Sequence, residues 1–355
     1  MKAQKTMKIA GRLVGEGQSV FIIAEVGVNH NGSVAMAKKL IDVAVRAGAT
    51  AVKFQMCDPD EMVTKSAPKA EYQKKTQQKS EVGESQYDML KRYYFDTKKH
   101  KELIAYAKKK KIILFSTPFS LKDARELAKL KMPAMKIGSS DTNNHPQLKI
   151  SAGAKVPVIL STGMANLAEV QESLKVIRAA GNNQIVVLHC TTAYPTVDAD
   201  VNLRAMLTMQ KALGVPVGYS DHTPGITTDI AAVALGACII EKHITLDKKL
   251  PGPDHFASVN PAELVAMIQA IRRTEKILGN GKKEPTVGEK VIAKVARKSI
   301  VAARALPKGT RIKESDLEYK RPGTGMAPAL YKKVVGKKLC RAVAKDTLLL
   351  PAMLQ

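Results

Sequence analysis

Short β-branched, apolar runs recur between Phe21 and His243, and each is followed by a stretch whose apolar positions fall three and four residues apart. A period of two giving way to a period of 3.6 predicts repeated strand and helix units around a parallel sheet. The runs are FIIAE (21–25), AVKFQ (51–55), IILFS (112–116), AMKIG (134–138), VPVILS (156–161), IVVLHC (185–190), PVGYS (216–220) and CIIEKH (238–243). Eight in series predict an α/β fold, a closed (β/α)8 TIM barrel occupying residues 1–280.

Capping chemistry brackets the helices. Ser33 can accept from the first turn of a helix whose Ala37, Leu40, Ile41 and Ala44 share one face, with Gly48 placed to end it. Near the end of the barrel, Asn260, Pro261 and Glu263 offer an N-cap, a first-turn proline and a capping carboxylate, and Gly279 closes the helix. Residues 56–111 are too many for a single connection. Their polar part, 60–84, predicts an excursion over one barrel face, and 87–111 reads as helical. Residues 281–297, rich in Gly, Lys and Pro at their start, predict a linker. The remainder, 298–355, has short β-like runs separated by turn signals at 307–309 and 321–323 and predicts a small β-rich domain.

Charge changes this picture more than bulk composition does. The 355 residues are 45% hydrophobic and 25% charged, which excludes a disordered or fibrous chain. Lys and Arg exceed Asp and Glu by 25, and residues 281–355 alone carry 18 basic against 6 acidic side chains. Such an excess attracts anions of many kinds. Aromatic residues make up only 4%, with no Trp, so stacking platforms for single-stranded nucleic acid are scarce. The basic run 108–111 lacks interleaved aromatics and reads as the solvated end of a helix, so no nucleic-acid partner is expected. The four cysteines have no finger-like spacing, which argues against a disulfide framework or a cysteine zinc site. The longest apolar run, 230–240, falls short of the ~20 residues that span a bilayer. With no apolar stretch behind the basic start, a cytoplasmic protein without a membrane partner is expected.

Chemistry in such a barrel gathers at the C-terminal strand ends. There stand Glu25, Lys53 and Gln55, Ser116 and Thr117, Lys136 and Ser139, Ser161 and Thr162, His189, Ser220 and His222, and Glu241 and His243. A single strand-end Ser or Thr is usually a turn former. Taken together, Lys53, Thr117, Lys136, Ser139, Ser161 and Ser220 make a ring of cations and hydroxyls suited to a phosphate. A lone strand-end histidine is usually a hydrogen-bonded core residue, but His222 and His243 come from neighbouring strands. Two imidazoles with open positions suit a divalent cation such as Mn²⁺ better than a closed structural zinc. His189 reads as structural, His30 and His255 fall in loops, and His100 and His145 read as surface residues.

With these residues in view, the chain resembles the sialic acid synthase family, the N-acetylneuraminate synthases and their relatives. The resemblance rests on IIAEVGVNHNG (22–32), AVKFQ (51–55), FSTPF (115–119), KIGSSDTNN (136–144), STGM (161–164), HCTTAYPT (189–196), GYSDHT (218–223), EKHITLD (241–247) and PGPDH (251–255). It implies condensation of phosphoenolpyruvate with N-acetylmannosamine or a close N-acylated derivative. The alternatives are a legionaminate-type 2,4-diacetamido-6-deoxy sugar and a 6-phosphate acceptor. It also implies that Lys53, Thr117, Lys136, Ser139, Ser161 and Ser220 bind phosphoenolpyruvate and that His222 and His243 ligate manganese. Gln55, Asp141, Tyr194, Asp254 and Arg321 would meet the sugar, and Glu25 would stand near the reacting centre. Residues 298–355 resemble the family's antifreeze-like (SAF-type) domain, which implies a domain-swapped homodimer with Arg321 of the KRPG motif serving the neighbouring site. Catalytic work would fall to Glu25, Lys53, Lys136 and Arg321, in a metal-assisted carbon–carbon bond formation with C–O cleavage. Within enzymes the competing chemistry is a Schiff-base aldolase using Lys136.

Overall fold

The computed structural model describes residues 5–75 and 83–355. They divide into two compact units, Met1–Gly279 and Asn280–Gln355. Seventeen residues from the predicted linker are therefore grouped with the tail rather than standing between two bodies.

The first unit opens with a hairpin, β1 (Thr6–Ile9) and β2 (Arg12–Gly15), paired antiparallel, whose Met7, Ile9 and Val14 join the main core. Eight strands follow: β3 (Phe21–Glu25), β4 (Ala51–Met56), β5 (Ile113–Pro118), β6 (Met135–Ile137), β7 (Val158–Ser161), β8 (Ile185–Cys190), β9 (Val217–Asp221) and β10 (Ile239–His243). Each lies on one of the eight apolar runs. Every ladder is parallel, in the order β5-β4-β3-β10-β9-β8-β7-β6. The first and last strands are thus joined, as a barrel requires. β5 and β6 lie side by side without a ladder between them, so the barrel is nearly closed.

The residues that make these elements do so by ordinary local rules. In the helix Val34–Ala47, Ser33 Oγ accepts from Met36 N at 3.2 Å, and Ala37, Leu40, Ile41 and Ala44 are buried. Gly48 ends it at φ +84°, a left-handed position that costs glycine little. In the helix Pro261–Leu278, Asn260 and Glu263 form a reciprocal capping box.

One expectation gains detail and two need correction. Residues 87–111 form two helices, Gln86–Tyr93 and Thr97–Lys109, because Asp96 caps a new start by accepting from Lys99 N. His100 is fully buried rather than on the surface. It shares a face with Leu103 and Ala107, and its Nδ1 bonds Asp96 O at 3.0 Å. Within the predicted linker, Val287–Ala296 is a helix, begun by a Thr286–Glu289 capping box that glycine and lysine around it obscured. Part of the predicted excursion, residues 76–82, lies outside the described residues.

In the second unit, β11 (Ser299–Ala302) pairs antiparallel with β12 (Leu317–Lys320) over a core that includes Ile300, Leu306, Ile312, Leu339 and Leu349. Arg321 follows β12 directly. Gly323 N donates to Lys294 O at 2.8 Å, and a side chain at 323 would meet Ala293 O at 2.7 Å. The KRPG glycine therefore lets the loop seat against the end of the helix Val287–Ala296.

Candidate active site at the C-terminal ends of the strands

The parallel register brings the strand-end side chains inward together. Glu25 pairs with Lys53 across β3 and β4, and with His243 across β10. Lys53 is buried, 3.0 Å from Glu25 Oε2, and donates to Thr117 Oγ1 at 2.9 Å. Gln55 Nε2 donates to Glu25 Oε1 at 2.9 Å. Lys136, also buried, donates to Ser161 Oγ at 2.7 Å and to Ile137 O at 3.3 Å. Ser220 Oγ donates to Glu241 Oε1 at 3.3 Å.

Glu241 joins these pieces, and sequence reasoning did not give it a role. Its Oε1 lies 3.6 Å from Lys53 Nζ and 3.5 Å from Lys136 Nζ. Its two-residue offset from His243 was the available signal, since both must then face the same side. The predicted ring of cations is consequently two lysines set against two carboxylates. Burial drives Glu25 up to about 7, against the opposing pull of Lys53. Burial also acts to raise Glu241, but Lys136 and Lys53 outweigh it and hold the group below the usual carboxylate range. Lys136 is lowered by burial. Burial lowers Lys53 as well, yet Glu241 and Glu25 more than offset that and leave it raised.

At the mouth, the rings of His222 and His243 are 5.4 Å apart between centroids. His222 Nδ1 bonds Thr191 O at 2.8 Å. A carbonyl can only accept, so Nδ1 carries the proton and, in the neutral ring, Nε2 keeps its lone pair. Burial, reinforced by the charge of His222, pushes His243 well below its ordinary value and so keeps it neutral. Its Nδ1 is buried with no hydrogen-bond partner, 4.0 Å from Asp254 Oδ2. Asp254 itself is raised to about 6 by burial. Tyr194 packs over His222 at 4.1 Å and meets His243 edge-on at 5.9 Å. Among the described residues no three His, Cys, Asp or Glu side chains converge as metal ligands. The two imidazoles, His243 orphaned at Nδ1 and His222 with its Nδ1 proton committed to Thr191 O, nonetheless fit an open-sided divalent cation whose other positions fall to water or substrate.

The remaining candidates lie around this centre. Ser139 Oγ accepts from Gly163 N at 3.0 Å. The STGM glycine is needed there, because a Cβ at 163 would meet Thr192 Oγ1 at 2.0 Å. Asp141 is tied to Asn144 at 2.9 Å and Ser140 at 3.1 Å. Arg321 belongs to the second unit. His189 faces away and bonds Val201 O at 2.8 Å. His30 stacks on Phe95 at 3.8 Å, while His255 bridges Thr245 and Asn31 in the loop after β10. Behind the site, Asp221 and Lys242, neighbours in register and each adjacent to one of the two histidines, form a buried ion pair.

Known proteins resemble this chain over most of its length. The chain matches the NeuB family over residues 40–283 and the SAF domain over residues 297–355. It is 44% identical to N,N'-diacetyllegionaminic acid synthase of Campylobacter jejuni, over 94% of this chain and 99% of that protein. It is 34% identical to human N-acetylneuraminate-9-phosphate synthase, over 95% of this chain and 93% of that one. Among solved structures, N-acetylneuraminic acid synthetase from Leptospira borgpetersenii superposes with a TM-score of 0.72 at 33% identity, covering 82% of this chain and 96% of that chain.

Proposed function

Since this chain belongs to the NeuB family, we propose that it condenses phosphoenolpyruvate with an N-acylated mannosamine-type sugar, forming a nonulosonic acid and releasing phosphate. The observation that carries the reading is the buried Lys53 and Lys136 pair, with the hydroxyls of Thr117, Ser161 and Ser220, beneath His222 and His243. The preferred acceptor is a 2,4-diacetamido-6-deoxy sugar of the legionaminate type. What supports it over N-acetylmannosamine, the first expectation from sequence, is the higher identity to a legionaminic acid synthase than to an N-acetylneuraminate-9-phosphate synthase.

C3 of phosphoenolpyruvate attacks the open-chain aldehyde carbon, water adds at C2, and the C2–O bond to phosphate breaks. Lys53 and Lys136 bind the phosphate and carboxylate through charge-assisted bonds, and Thr117, Ser139, Ser161 and Ser220 add neutral donors. Glu25, raised to about 7 by burial, can give or take a proton near neutral pH and acts on the water that adds at C2. Gln55 fixes its orientation. Tyr194, Asp141 and Asp254 line the acceptor side. A divalent cation, Mn²⁺ as the family resemblance implies, would be held by His222 and His243 and would supply Lewis acidity toward a carbonyl oxygen. Holding two substrates in register supplies much of the remaining rate.

The active form is a homodimer in which Arg321 serves the other subunit's sugar. Its support is the helix Val287–Ala296, which buries no residue and leaves Val287, Val291, Ile292 and Val295 exposed along one side.

The decisive experiment measures phosphate release from phosphoenolpyruvate with Mn²⁺ across the diacetamido sugar, N-acetylmannosamine and its 6-phosphate. The diacetamido sugar should give the highest kcat/KM, and a preference for either other sugar would overturn the acceptor assignment. In ¹⁸O-water the label should enter the sugar acid; label in the released phosphate would refute C–O cleavage.

A further inference from the structure

Glu241 has no assigned part in the reaction, yet it occupies the position that a phosphate oxygen would seek. Its Oε1 lies within 3.6 Å of both buried lysine nitrogens and accepts from Ser220, the same three groups proposed to hold the phosphate. Its Oε2 is buried without a hydrogen-bond partner. A carboxylate there neutralises the lysines before substrate arrives and keeps them aimed at one point. Once a dianion enters, the same fixed negative charge stands beside it in a site with little water to screen the repulsion.

We propose that Glu241 is an internal counter-ion that limits how tightly the Lys53 and Lys136 pair holds phosphate, so that product leaves. The inference rests on the phosphate assignment made above. Binding free energy that stabilises the bound ground state and the transition state equally lowers KM without speeding the chemistry, and over-tight product binding slows turnover. Glu241 acts through the lysines and is therefore a positioning and affinity-setting residue rather than a catalytic one.

The test compares wild-type enzyme with Glu241→Gln, which keeps the shape and the oxygen that accepts from Ser220 but removes the charge. The readouts are inhibition by inorganic phosphate against phosphoenolpyruvate, KM for phosphoenolpyruvate, and kcat. The expected result is phosphate inhibition tighter by about tenfold or more, since like charges in close contact cost several kcal/mol. KM should fall in parallel, and kcat should drop as release becomes limiting. A merely structural role would raise KM and weaken phosphate together, and that result, or unchanged inhibition, overturns the proposal. Should Glu241→Gln fail to fold, Glu241→Asp draws the charge back from the lysines, and the melting shift produced by inorganic phosphate reads the same affinity. A larger shift than in wild type supports the proposal; an equal or smaller one overturns it. Wild-type enzyme that neither binds phosphate nor releases it from phosphoenolpyruvate would instead refute the underlying functional reading. Phosphate release with no tightening in the variants refutes the role of Glu241 alone.

Discussion

Replacing Lys242 with Met tests whether the barrel depends on one buried cation behind its active site. Lys242 Nζ pairs with Asp221, lies 3.5 Å from Asp229 Oδ2 and donates to Thr223 O at 2.8 Å. Tyr219 and Thr223 also donate to Asp221, whereas both oxygens of Asp229 are buried without hydrogen-bond partners. Methionine fills the same space but strands two carboxylates, and breaking a buried pair in this way costs about 3–5 kcal/mol. For a unit of this size that corresponds to a fall in Tm of roughly 10 °C. The loss must also depend on pH. Burial, then the charge of Asp221, already raises Asp229 well above its ordinary value, and Lys242 is what opposes them. Without Lys242 the folded chain binds more protons than the unfolded chain over a wider interval. Stability present at low pH is then lost as pH rises through the raised value. Thermal or urea unfolding of Lys242→Met should therefore show a smaller deficit at pH 5 than at pH 8. A deficit under about 1 kcal/mol, or one equal at both pH values, would refute the reasoning.

Glu25→Gln should lower kcat/KM by about 10²–10⁴-fold and remove the limb near pH 7 that Glu25 contributes to the wild-type profile; a limb that survives assigns it to another group. Chelation should abolish phosphate release and Mn²⁺ should restore it, and His222→Asn should weaken Mn²⁺ binding measured without substrate; full activity in chelator would count against a metal. Borohydride with substrate should trap no adduct on Lys136, whose place beside Glu241 Oε1 suits a phosphate-binding cation; a trapped adduct would favour the aldolase chemistry instead. Val291→Glu with Ile292→Glu should yield monomers by sedimentation, and a dimer that persists would remove the helix Val287–Ala296 from the interface.

Eight strands were legible because each combines an apolar run with polar residues at its end, a pattern that local periodicity writes directly into the chain. Helix starts at Ser33 and Asn260 were legible for a similar reason, since a cap and its partner lie within four residues. The helix at Val287 was missed because its cap sits among lysines and glycines that read as loop. His100 was misjudged for a different reason: its neighbours in sequence are charged, and only the helix face it shares with Leu103 places it inside.

The candidate site shows the same division. The chain alone determined which side chains reach the C-terminal end of the barrel, because alternation along a strand decides direction, and it supplied Lys53, Lys136, His222 and His243 as a set. Only tertiary structure decided what those charges meet. Glu241 and Glu25 belong to β10 and β3, far apart in sequence from Lys136, and their effect depends on distances of a few ångströms across the barrel. Strand periodicity is a property of neighbours in the chain, whereas electrostatic compensation in a buried site depends on separation and water exclusion, which closure of the sheet alone establishes.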